Sequence, residues 1–469
     1  MKYNINESIE PKARIYFKKN QKSVSTVDKN TFNEDVFVKL GDFKAYIGQK
    51  NNIPEYLIII DKDDESPRKL ITLGFKLTNE IKRFNIFNFE VSFDDGFSKD
   101  IILNVFEGIV QSEYKFDNYK TDTDEKDLEL SINIKFKEEL NLDDFKYVEN
   151  LIEGVNLTRY LVNTPAIDMY PETLANTAKE KLSEVGVNVK VLNKKEIEDL
   201  GMKAFLAVAE GSEKEPKFII MEYLPVPGQT PIGLVGKGLT YDSGGYALKS
   251  AKGMSTMHAD MGGSATVIGT MYALAKNKIQ RNAIAFVAAC ENMISGKAYK
   301  NGDIIGSMKG TFIEVDNTDA EGRLTLADAI YYAATKTEVE PIVDLATLTG
   351  ACVVALGEKT TGVITNDNNL YDELEKSSKE VGEYLWLLPS FDVLRDLLKS
   401  KRADIINSTG PYGGASTAGL FLEHFVENKK WAHLDIAGPA YTDSAFDYIP
   451  YGATGIPVKT LYNFVKNHK

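Results

Sequence analysis

The sequence has almost no cysteine: Cys290 and Cys352 are the two thiols in 469 residues. Two cysteines cannot supply the disulfide framework of a small secreted protein, so we expect a reducing compartment and inert core thiols. The first 21 residues lack the apolar run of a signal peptide, and the longest apolar stretch, 342–357, is short for a membrane span and contains Asp344. The sequence therefore predicts a cytoplasmic protein with no membrane segment.

Histidine and positive charge are also scarce. The four histidines, at positions 258, 424, 433 and 468, do not show the spacing of metal ligands, so a metal site would have to rely on carboxylates. The 55 lysines and arginines against 68 acidic residues give a net charge of −13. Binding of nucleic acid phosphates needs a basic surface, so nucleic acid is disfavoured as a main partner, although a local basic patch stays open.

Length and composition favour two domains with a large core, since 43% of the residues are hydrophobic. We predict an α/β fold with a smaller amino-terminal α/β domain at 1–143, which could serve oligomer formation or regulation. A connecting helix at 144–164 and a larger domain at 165–469 would follow. In the first region, β-type apolar runs predict strands at 43–47, 56–60, 89–93, 101–106 and 128–136, and the charged stretch 117–127 predicts a loop.

From about residue 165 the pattern alternates between strands and helices. Strands are predicted at 187–192, 217–223, 232–236, 283–289, 341–346 and 432–436, and helices at 171–185, 195–201, 262–276, 370–384 and 415–426. Such alternation indicates a mostly parallel central sheet flanked by helices on both faces. His433 lies in the last of these apolar strands, where we predict a structural histidine.

Two carboxylates and a guanidinium stand two residues apart in the stretch 316–324, between a predicted strand (311–315) and a predicted helix (324–335). In an extended segment, Asp319, Glu321 and Arg323 would point to one side at the end of a strand. A buried carboxylate pair needs a cation, a shared proton or solvent. Taken alone, a solvated acidic loop explains the stretch more simply.

A second polar cluster, 233–245, runs from an apolar strand into a glycine-rich turn that carries Lys237 and Asp242. Ligands of open α/β sheets bind beyond the carboxyl ends of strands, but a tight turn is an equally good explanation. The cluster does not match the phosphate-binding P-loop pattern. Lys249 follows, and then Asp260, which directly precedes a predicted helix and could simply be its N-cap.

These motifs together place four carboxylates at strand ends or helix starts of one α/β region. Such a group would repel itself without divalent cations, and an oxygen-rich ligand set without histidine suits Mn²⁺, Mg²⁺ or Zn²⁺. Shared carboxylates could hold two ions about 3.5–4 Å apart, as in two-metal hydrolases. The residues predicted to form the site are Lys237, Asp242, Lys249, Asp260, Asp319, Glu321 and Arg323.

Five strings in this region resemble motifs of the leucine aminopeptidase family, the cytosolic dinuclear-metal aminopeptidases. They are VGKGLTYDSGGYALK (235–249), HADMGG (258–263), NTDAEGRL (317–324), VDLATLTGA (343–351) and WAHLDIAGP (431–439). The resemblance keeps their order and spacing and covers roughly two-thirds of the chain. It implies a metalloaminopeptidase that removes the amino-terminal residue from peptides with a free amino terminus, with a suspected leucine-like preference and a water molecule activated by two metals.

The same resemblance assigns metal ligands. The tighter ion would take Lys237, as a neutral amine, with Asp242, Asp260 and Glu321. The more exchangeable ion would take Asp242, Asp319 and Glu321, with Asp319 contributing its side chain and its backbone carbonyl. The ions would be Mn²⁺ or Zn²⁺, with Mg²⁺ or Co²⁺ as further candidates.

Two further roles follow from the resemblance. Lys249 would act as the electrophile that stabilises the oxyanion, and Arg323 would hold a bicarbonate that serves as general base. Relatives form hexamers, so a homo-oligomer is expected. The alternatives are a dipeptidase speciality, such as cysteinyl-glycine hydrolysis, and a regulatory or DNA-binding protein on the same fold.

Three departures from the family pattern leave the pocket shape and the substrate preference open. His258 stands where the family commonly has Lys or Arg, and Tyr241 replaces a common Phe. The stretch 407–415 keeps the glycines of a family loop but lacks an Arg that is often found there. None of the three changes a predicted metal ligand.

Overall fold

The structure is a computed structural model that describes residues 1–7, 10–19, 31–61, 64–121 and 129–468. The chain forms two compact units, residues 1–152 with 445–449, and residues 153–444 with 450–469. Helix α3, given below, runs across the division at 152. The domain boundaries that we predicted from the sequence, at 143 and 165, stay a prediction.

The amino-terminal unit contains, within the described ranges, a seven-stranded sheet with the order β1-β7-β6-β2-β5-β4-β3. Its elements are β1 (Lys2–Ile5), β2 (Arg14–Lys19), β3 (Phe32–Leu40), β4 (Phe43–Lys50), β5 (Ile53–Ile60), α1 (Pro67–Lys82), β6 (Asn88–Phe93), α2 (Lys99–Gln111), β7 (Ser131–Lys135) and the start of α3 (Leu142–Asn163). The pairs from β1 through β5 are parallel, and β3 and β4 add an antiparallel edge. Helices α1 and α2 touch through Gly74, where a Cβ would lie 2.0 Å from the carbonyl oxygen of Val105.

The larger unit follows. Its elements up to the site are α4 (Pro171–Ser183), β8 (Asn188–Leu192), α5 (Lys194–Asp199), α6 (Lys203–Ala209), β9 (Lys217–Tyr223), β10 (Ile232–Asp242), α7 (Ala251–Met254), a 3₁₀ turn (Met257–Met261), α8 (Gly262–Lys276), β11 (Ala283–Asn292), β12 (Ile304–Gly306), β13 (Phe312–Glu314) and α9 (Gly322–Lys336). The rest are β14 (Ile342–Ala346), α10 (Gly350–Leu356), β15 (Thr360–Thr365), α11 (Asn368–Val381), β16 (Tyr384–Leu387), α12 (Asp392–Arg395), β17 (Ile405–Ile406), α13 (Gly414–Glu423), β18 (Trp431–Asp435), β19 (Tyr441–Thr442), β20 (Gly452–Ala453) and α14 (Val458–Asn467).

The central sheet of this unit has eight strands within the described residues, in the order β16-β15-β18-β14-β10-β11-β9-β8. The four inner strands β18, β14, β10 and β11 run parallel to one another, so their carboxyl ends meet at one edge. Helices α6, α9 and α13 share one apolar core with β9, β10 and β11. Helix α8 lies on the other face, where a Cβ on Gly236 would come within 2.7 Å of the carbonyl oxygen of Gly263. The predicted α/β class, with a mostly parallel sheet between helices, is confirmed.

Most predicted elements of the larger unit are present, with ends shifted by a few residues. The main error lies in the smaller unit: 101–106, predicted as a strand, is part of helix α2. The stretch is short and mostly apolar, with three β-branched residues, Ile101, Ile102 and Val105, a pattern that does not distinguish a strand from a buried helix. For the predicted strand 128–136 and loop 117–127, residues 122–128 lie outside the described residues. Among the described helices, none combines the length and apolar character needed to cross a membrane.

Candidate metal centre

A cavity of about 830 Å³ opens beyond the carboxyl end of β10. All seven residues that the sequence predicted for the site line it: Lys237, Asp242, Lys249, Asp260, Asp319, Glu321 and Arg323. They come from β10 and the loop after it, from the 3₁₀ turn before α8, and from the junction between β13 and α9. Parallel strands deliver their carboxyl ends to one edge, which explains why segments distant in the chain meet there.

Strand β10 is longer than predicted and carries part of the site within its length. The strand was expected to end at Gly236, with Lys237 in a glycine-rich turn, but it continues to Asp242. The turn begins only at Ser243. The glycines within the strand instead allow close packing, since a Cβ on Gly238 would lie 2.9 Å from the carbonyl oxygen of Ala288 in β11.

The inner group consists of Lys237, Asp260 and Glu321, all of which are buried. The Lys237 Nζ atom lies 2.8 Å from both carboxylate oxygens of Asp260 and 2.9 Å from Oε1 of Glu321. Thr347 joins the group, because its hydroxyl donates to Asp260 Oδ1 at 2.7 Å and its carbonyl accepts from Lys237 at 3.1 Å. The stem of Lys237 fills the space beside Gly322, where a Cβ would lie 2.5 Å from Lys237 Cε.

The outer group consists of Asp242, Lys249 and Asp319. The Lys249 Nζ atom lies 2.8 Å from Oδ2 of Asp242 and also forms an ion pair with Asp319. The Asp319 side chain is 32% exposed, whereas that of Asp242 is buried. The outer group thus repeats the inner arrangement, one ammonium between two carboxylates, at the mouth of the cavity.

Burial and the charge of neighbouring carboxylates raise the pKa of three acids of the site, Asp260, Asp319 and Glu321. Burial, reinforced by the charge of Asp242, raises the pKa of Glu321 to about 8, and burial raises the pKa of Asp260 to about 6. Burial lowers the pKa of Lys237, but the surrounding carboxylates outweigh it and the net shift is upward. Four carboxylates therefore surround two ammonium groups, an arrangement that favours additional cations.

The residues present fit a divalent metal. Asp242, Asp319 and Glu321 each offer an oxygen, and these three oxygens lie within 4.8 Å of one another. Oε2 of Glu321 is buried and has no hydrogen-bond partner among the described residues. Because buried polar atoms are normally paired, this oxygen indicates a missing ligand. Oxygen donors without histidine suit Mn²⁺, Mg²⁺ or Zn²⁺.

Arg323 lies beside the carboxylates in the first turn of α9. Its Nη1 donates to the carbonyl oxygen of Asn407 at 2.7 Å, while its buried Nε has no partner among the described residues. Burial lowers the pKa of this guanidinium to about 10.

The expected extended geometry of the stretch 316–324 is wrong. Asn317 closes a turn by accepting the N–H of Asp319 on its side chain at 2.9 Å. Glu321 has α-helical backbone angles, with φ −77° and ψ −36°, and Arg323 belongs to the helix. The three side chains nevertheless line the same cavity, because the turn closed by Asn317 and the first turn of α9 bring them together.

The N-cap alternative for Asp260 does not describe the structure. The residue preceding α8 is Met261, and Asp260 lies in the 3₁₀ turn with its carboxylate bound to Lys237 and Thr347. The alternative of a solvated acidic loop also fails for Glu321, which is 2% exposed.

The residues expected to be structural are buried away from solvent. His433 bonds through Nδ1 to Asp344 at 2.6 Å, and the same carboxylate accepts the indole N–H of Trp431. Burial raises the pKa of both Cys290 and Cys352, in the latter case to about 12, so neither forms a thiolate readily.

Two of the three departures from the family pattern, His258 and the stretch 407–415, lie around the same cavity. His258 packs edge-on against Tyr441, with ring centroids 5.6 Å apart, and Tyr441 lines the cavity wall. The stretch 407–415 contributes Ser408, Gly410, Pro411 and Gly414 to the lining of the cavity.

Sequence reasoning missed two polar residues that hold the ligands, Thr347 and Asn292. Asn292 donates to Oδ1 of Asp242 at 2.8 Å. Both residues stand at or just past the carboxyl ends of strands in the central sheet, β14 and β11. A polar residue at the carboxyl end of a predicted strand was the sequence signal that could have identified both residues.

The sequence of this chain is similar to those of known proteins. The family described as "Cytosol aminopeptidase family, catalytic domain" matches residues 156–462. A probable cytosol aminopeptidase of Clostridium tetani is 43% identical over 480 residues, covering 100% of both chains. One of Treponema denticola is 52% identical over 364 residues, covering 76% of each.

Solved structures extend the similarity to the whole fold. A mutant of tomato leucine aminopeptidase has a TM-score of 0.87 at 31% identity, covering 100% of this chain and 97% of its own. The bottromycin maturation enzyme BotP, solved in complex with Mn, has a TM-score of 0.86 at 29% identity and covers 97% of this chain and 99% of its own.

Proposed function

The chain belongs to the cytosol aminopeptidase family, a family of metallo-hydrolases, and we propose that it removes the amino-terminal residue from peptides, with a leucine-like preference. The observation that supports this proposal most directly is the meeting of four carboxylates and two lysines in one cavity. The cytoplasmic location predicted from the sequence accords with the name of the relatives.

The inner ion would be held by Lys237, Asp260, Glu321 and Asp242, and the outer ion by Asp242, Asp319 and Glu321. Bound there, two divalent cations would polarise the scissile carbonyl and lower the pKa of a water molecule enough for attack near neutral pH. Mn²⁺ and Zn²⁺ are the first candidates, and Mg²⁺ and Co²⁺ suit the same oxygen-rich set. The complex of BotP with Mn supports this choice, because BotP has the same fold.

Lys249 would supply the electrophile. Its ammonium reaches the mouth of the cavity from the loop after β10, and its side chain is 18% exposed. A cation at this place can approach the carbonyl oxygen of a substrate and stabilise the negative charge that develops there.

Arg323 would hold a bicarbonate, whose chemistry at this place is to take the proton of the attacking water and pass it to the leaving amine. Its Nε has no partner in the described part of the chain, which supports this role, because a buried guanidinium N–H calls for an acceptor. The carboxylates that line the cavity are already assigned to metals, so a base from outside the chain is needed.

The charge of the cavity would also select the substrate. Four carboxylates favour a free amino group on the substrate, which would explain the removal of only the first residue. His258 packs against Tyr441, which lines the cavity, and this contact would influence which first side chain of a substrate the cavity accepts.

We also propose a homo-oligomer, a hexamer as in the family. Large apolar side chains are exposed along β16 and the segment after it, including Trp386, Phe391 and Val393, the last at 68%. Large apolar side chains exposed within one short segment favour a protein interface there. Sedimentation analysis should give a mass of several chains, and a monomeric mass would exclude the hexamer.

The test of the function uses purified protein loaded with Mn²⁺ or Zn²⁺ and a panel of amino-acid anilides and dipeptides. We expect release of the first residue, highest kcat/KM for leucine-like side chains, and no release from the same peptides when their amino terminus is acetylated. A leading preference for cysteinyl-glycine would favour a dipeptidase speciality. No release from any substrate would exclude an aminopeptidase.

A further inference from the structure

Asn292 lies between two parts of the outer group, Asp242 at the end of β10 and the segment that carries Asp319. It is the last residue of β11, it is fully buried, and its partner on the neighbouring strand is Asp242. A β-bulge in β10, between Leu239 and Tyr241, shifts the register so that these two side chains lie opposite each other. Bulges of this kind redirect side chains next to active sites.

The amide of Asn292 joins two segments. Its Nδ2 donates to Oδ1 of Asp242 at 2.8 Å and to the carbonyl oxygen of Thr318, the residue before Asp319, at 3.0 Å. Both partners are acceptors, so the NH₂ side of the amide must face them. Oδ1 of Asn292 has no hydrogen-bond partner among the described residues, so the orientation is set by these two bonds.

We propose that Asn292 is a positioning residue that assembles the outer metal site by fixing Asp242 and the peptide before Asp319 relative to each other. The inference rests on the proposed function, because it assigns Asp242 and Asp319 as ligands of the outer ion. Nothing in the sequence motifs includes Asn292.

The bonds on Asp242 show how the carboxylate is oriented. Oδ1 accepts a second bond, from the backbone N–H of Gly244 at 2.8 Å. With two donors on Oδ1, the other oxygen, Oδ2, is the one that faces Lys249 and the cavity. Asn292 and the N–H of Gly244 together therefore determine which oxygen of Asp242 is offered to a metal ion.

The hydrogen bonds of Thr318 hold the loop that carries Asp319. Its carbonyl oxygen accepts from the hydroxyl of Tyr299 at 2.9 Å as well as from Asn292. Its hydroxyl donates to the carbonyl of Gly244 at 2.8 Å, which ties the loop to the turn after β10. The segment that carries Asp319 is thus held by hydrogen bonds to residues outside it.

The change Asn292→Ala removes both donated bonds and no predicted ligand. Hydrogen-bond partners of metal ligands are typically worth about 10–100-fold in metal affinity. In a calorimetric titration with Co²⁺, we expect the second equivalent to bind about 10–100-fold more weakly, while the first keeps most of its affinity because Lys237, Asp260 and Glu321 stay in place. The visible spectrum of the second bound Co²⁺ should change more than that of the first, because Asp242 is one of four ligands assigned to the inner ion and one of three assigned to the outer ion.

Asn282 offers a matched control at the opposite end of β11. It is buried, and its Nδ2 likewise donates to two carbonyl oxygens, those of Val226 and Gln229, at 2.6 and 2.8 Å. Asn282→Ala should lower the melting temperature and leave both Co²⁺ equivalents unchanged. A milder second variant, Tyr299→Phe, removes the other donor to Thr318 and should weaken only the second equivalent, which keeps the test available if Asn292→Ala does not fold.

The proposal is overturned if Asn292→Ala and Asn282→Ala bind both equivalents of Co²⁺ alike, or if Asn292→Ala weakens the two equivalents equally. In the case that Asn292→Ala is insoluble, an unchanged second equivalent in Tyr299→Phe overturns it. Failure of the proposed function would look different, because the unaltered protein itself would then bind no Co²⁺ and release no amino acid.

Discussion

The inner and outer groups of the cavity have the same composition and different surroundings. Each places one lysine between two carboxylates, but the inner residues are almost inaccessible, whereas Asp319 and Lys249 of the outer group are partly exposed. Charges interact more strongly where water is excluded. An ion held by the inner group should therefore stay bound, and an ion held by the outer group should exchange with solvent.

The chain builds the two groups from different material. The inner group combines β10, the 3₁₀ turn and the start of α9, and glycines let these elements approach closely. The outer group combines the last residue of β10 with two loops, and side-chain hydrogen bonds join these segments. Substitutions in each group can test whether the two really differ in this way.

The largest effect is expected for Asp260→Asn in the inner group. A metal ion contributes several kcal/mol of transition-state stabilisation, so we expect kcat/KM to fall roughly 10³-fold or more together with bound metal. Metal content and rate should be measured on the same preparation. Asp328→Asn is the control: this other buried carboxylate accepts the N–H groups of Phe205 and Met308 outside the cavity, and its variant should keep its metal. Full metal in Asp260→Asn would contradict the assignment.

Lys249→Ala should separate chemistry from metal binding. We expect kcat to fall about 10²–10³-fold, the usual cost of losing one group that stabilises an oxyanion, with metal content retained. The exposed neighbour Lys252 provides the control variant, Lys252→Ala, which should behave like the unaltered protein. Metal loss equal to that of Asp260→Asn would mean that Lys249 belongs to the metal site rather than to the reaction.

Arg323→Ala should slow the reaction about 10²-fold, since a general base contributes at least that much. In buffer freed of carbon dioxide, added bicarbonate should accelerate the unaltered enzyme and leave the variant unchanged. Arg323→Lys keeps a charge but lacks the planar fork of the guanidinium, so it should rescue little. An equal response of all three proteins to bicarbonate would exclude the role.

The smallest effect is expected for Asp319→Asn in the outer group. One ion should bind more weakly, and excess Mn²⁺ should restore most of the rate because the side chain of Asp319 is 32% exposed and its site is open to solvent. Asp260→Asn should not recover under the same conditions. If both variants recover equally, or neither does, the distinction between inner and outer groups is lost.

The sequence predicted which residues come together better than it predicted the local backbone. All seven site residues line one cavity, because strand and helix ends can be located from the apolar pattern and the motifs carry their own spacing. The extended geometry of Asp319, Glu321 and Arg323 was wrong, since the side-chain bond from Asn317 that closes the turn cannot be inferred from apolar periodicity. The helix at 101–106 was missed for a related reason, because a short apolar run fits a strand or a helix.

Thr347 and Asn292 could not be found by spacing. Their roles depend on which strands are neighbours, and the order β14-β10-β11 is a property of the folded sheet. The position of Asn292 opposite Asp242 depends further on a bulge in β10, which changes the register by one residue.

Gly322 and Lys237 are far apart in the chain, but the residue type at one position limits the residue types that the other can accept. The absent side chain of Gly322 is the room that the stem of Lys237 occupies. A change at either position alters the conditions under which the other is tolerated, so the two should vary together or not at all. Anyone who redesigns this cavity for another metal or substrate must therefore choose both residues in one step.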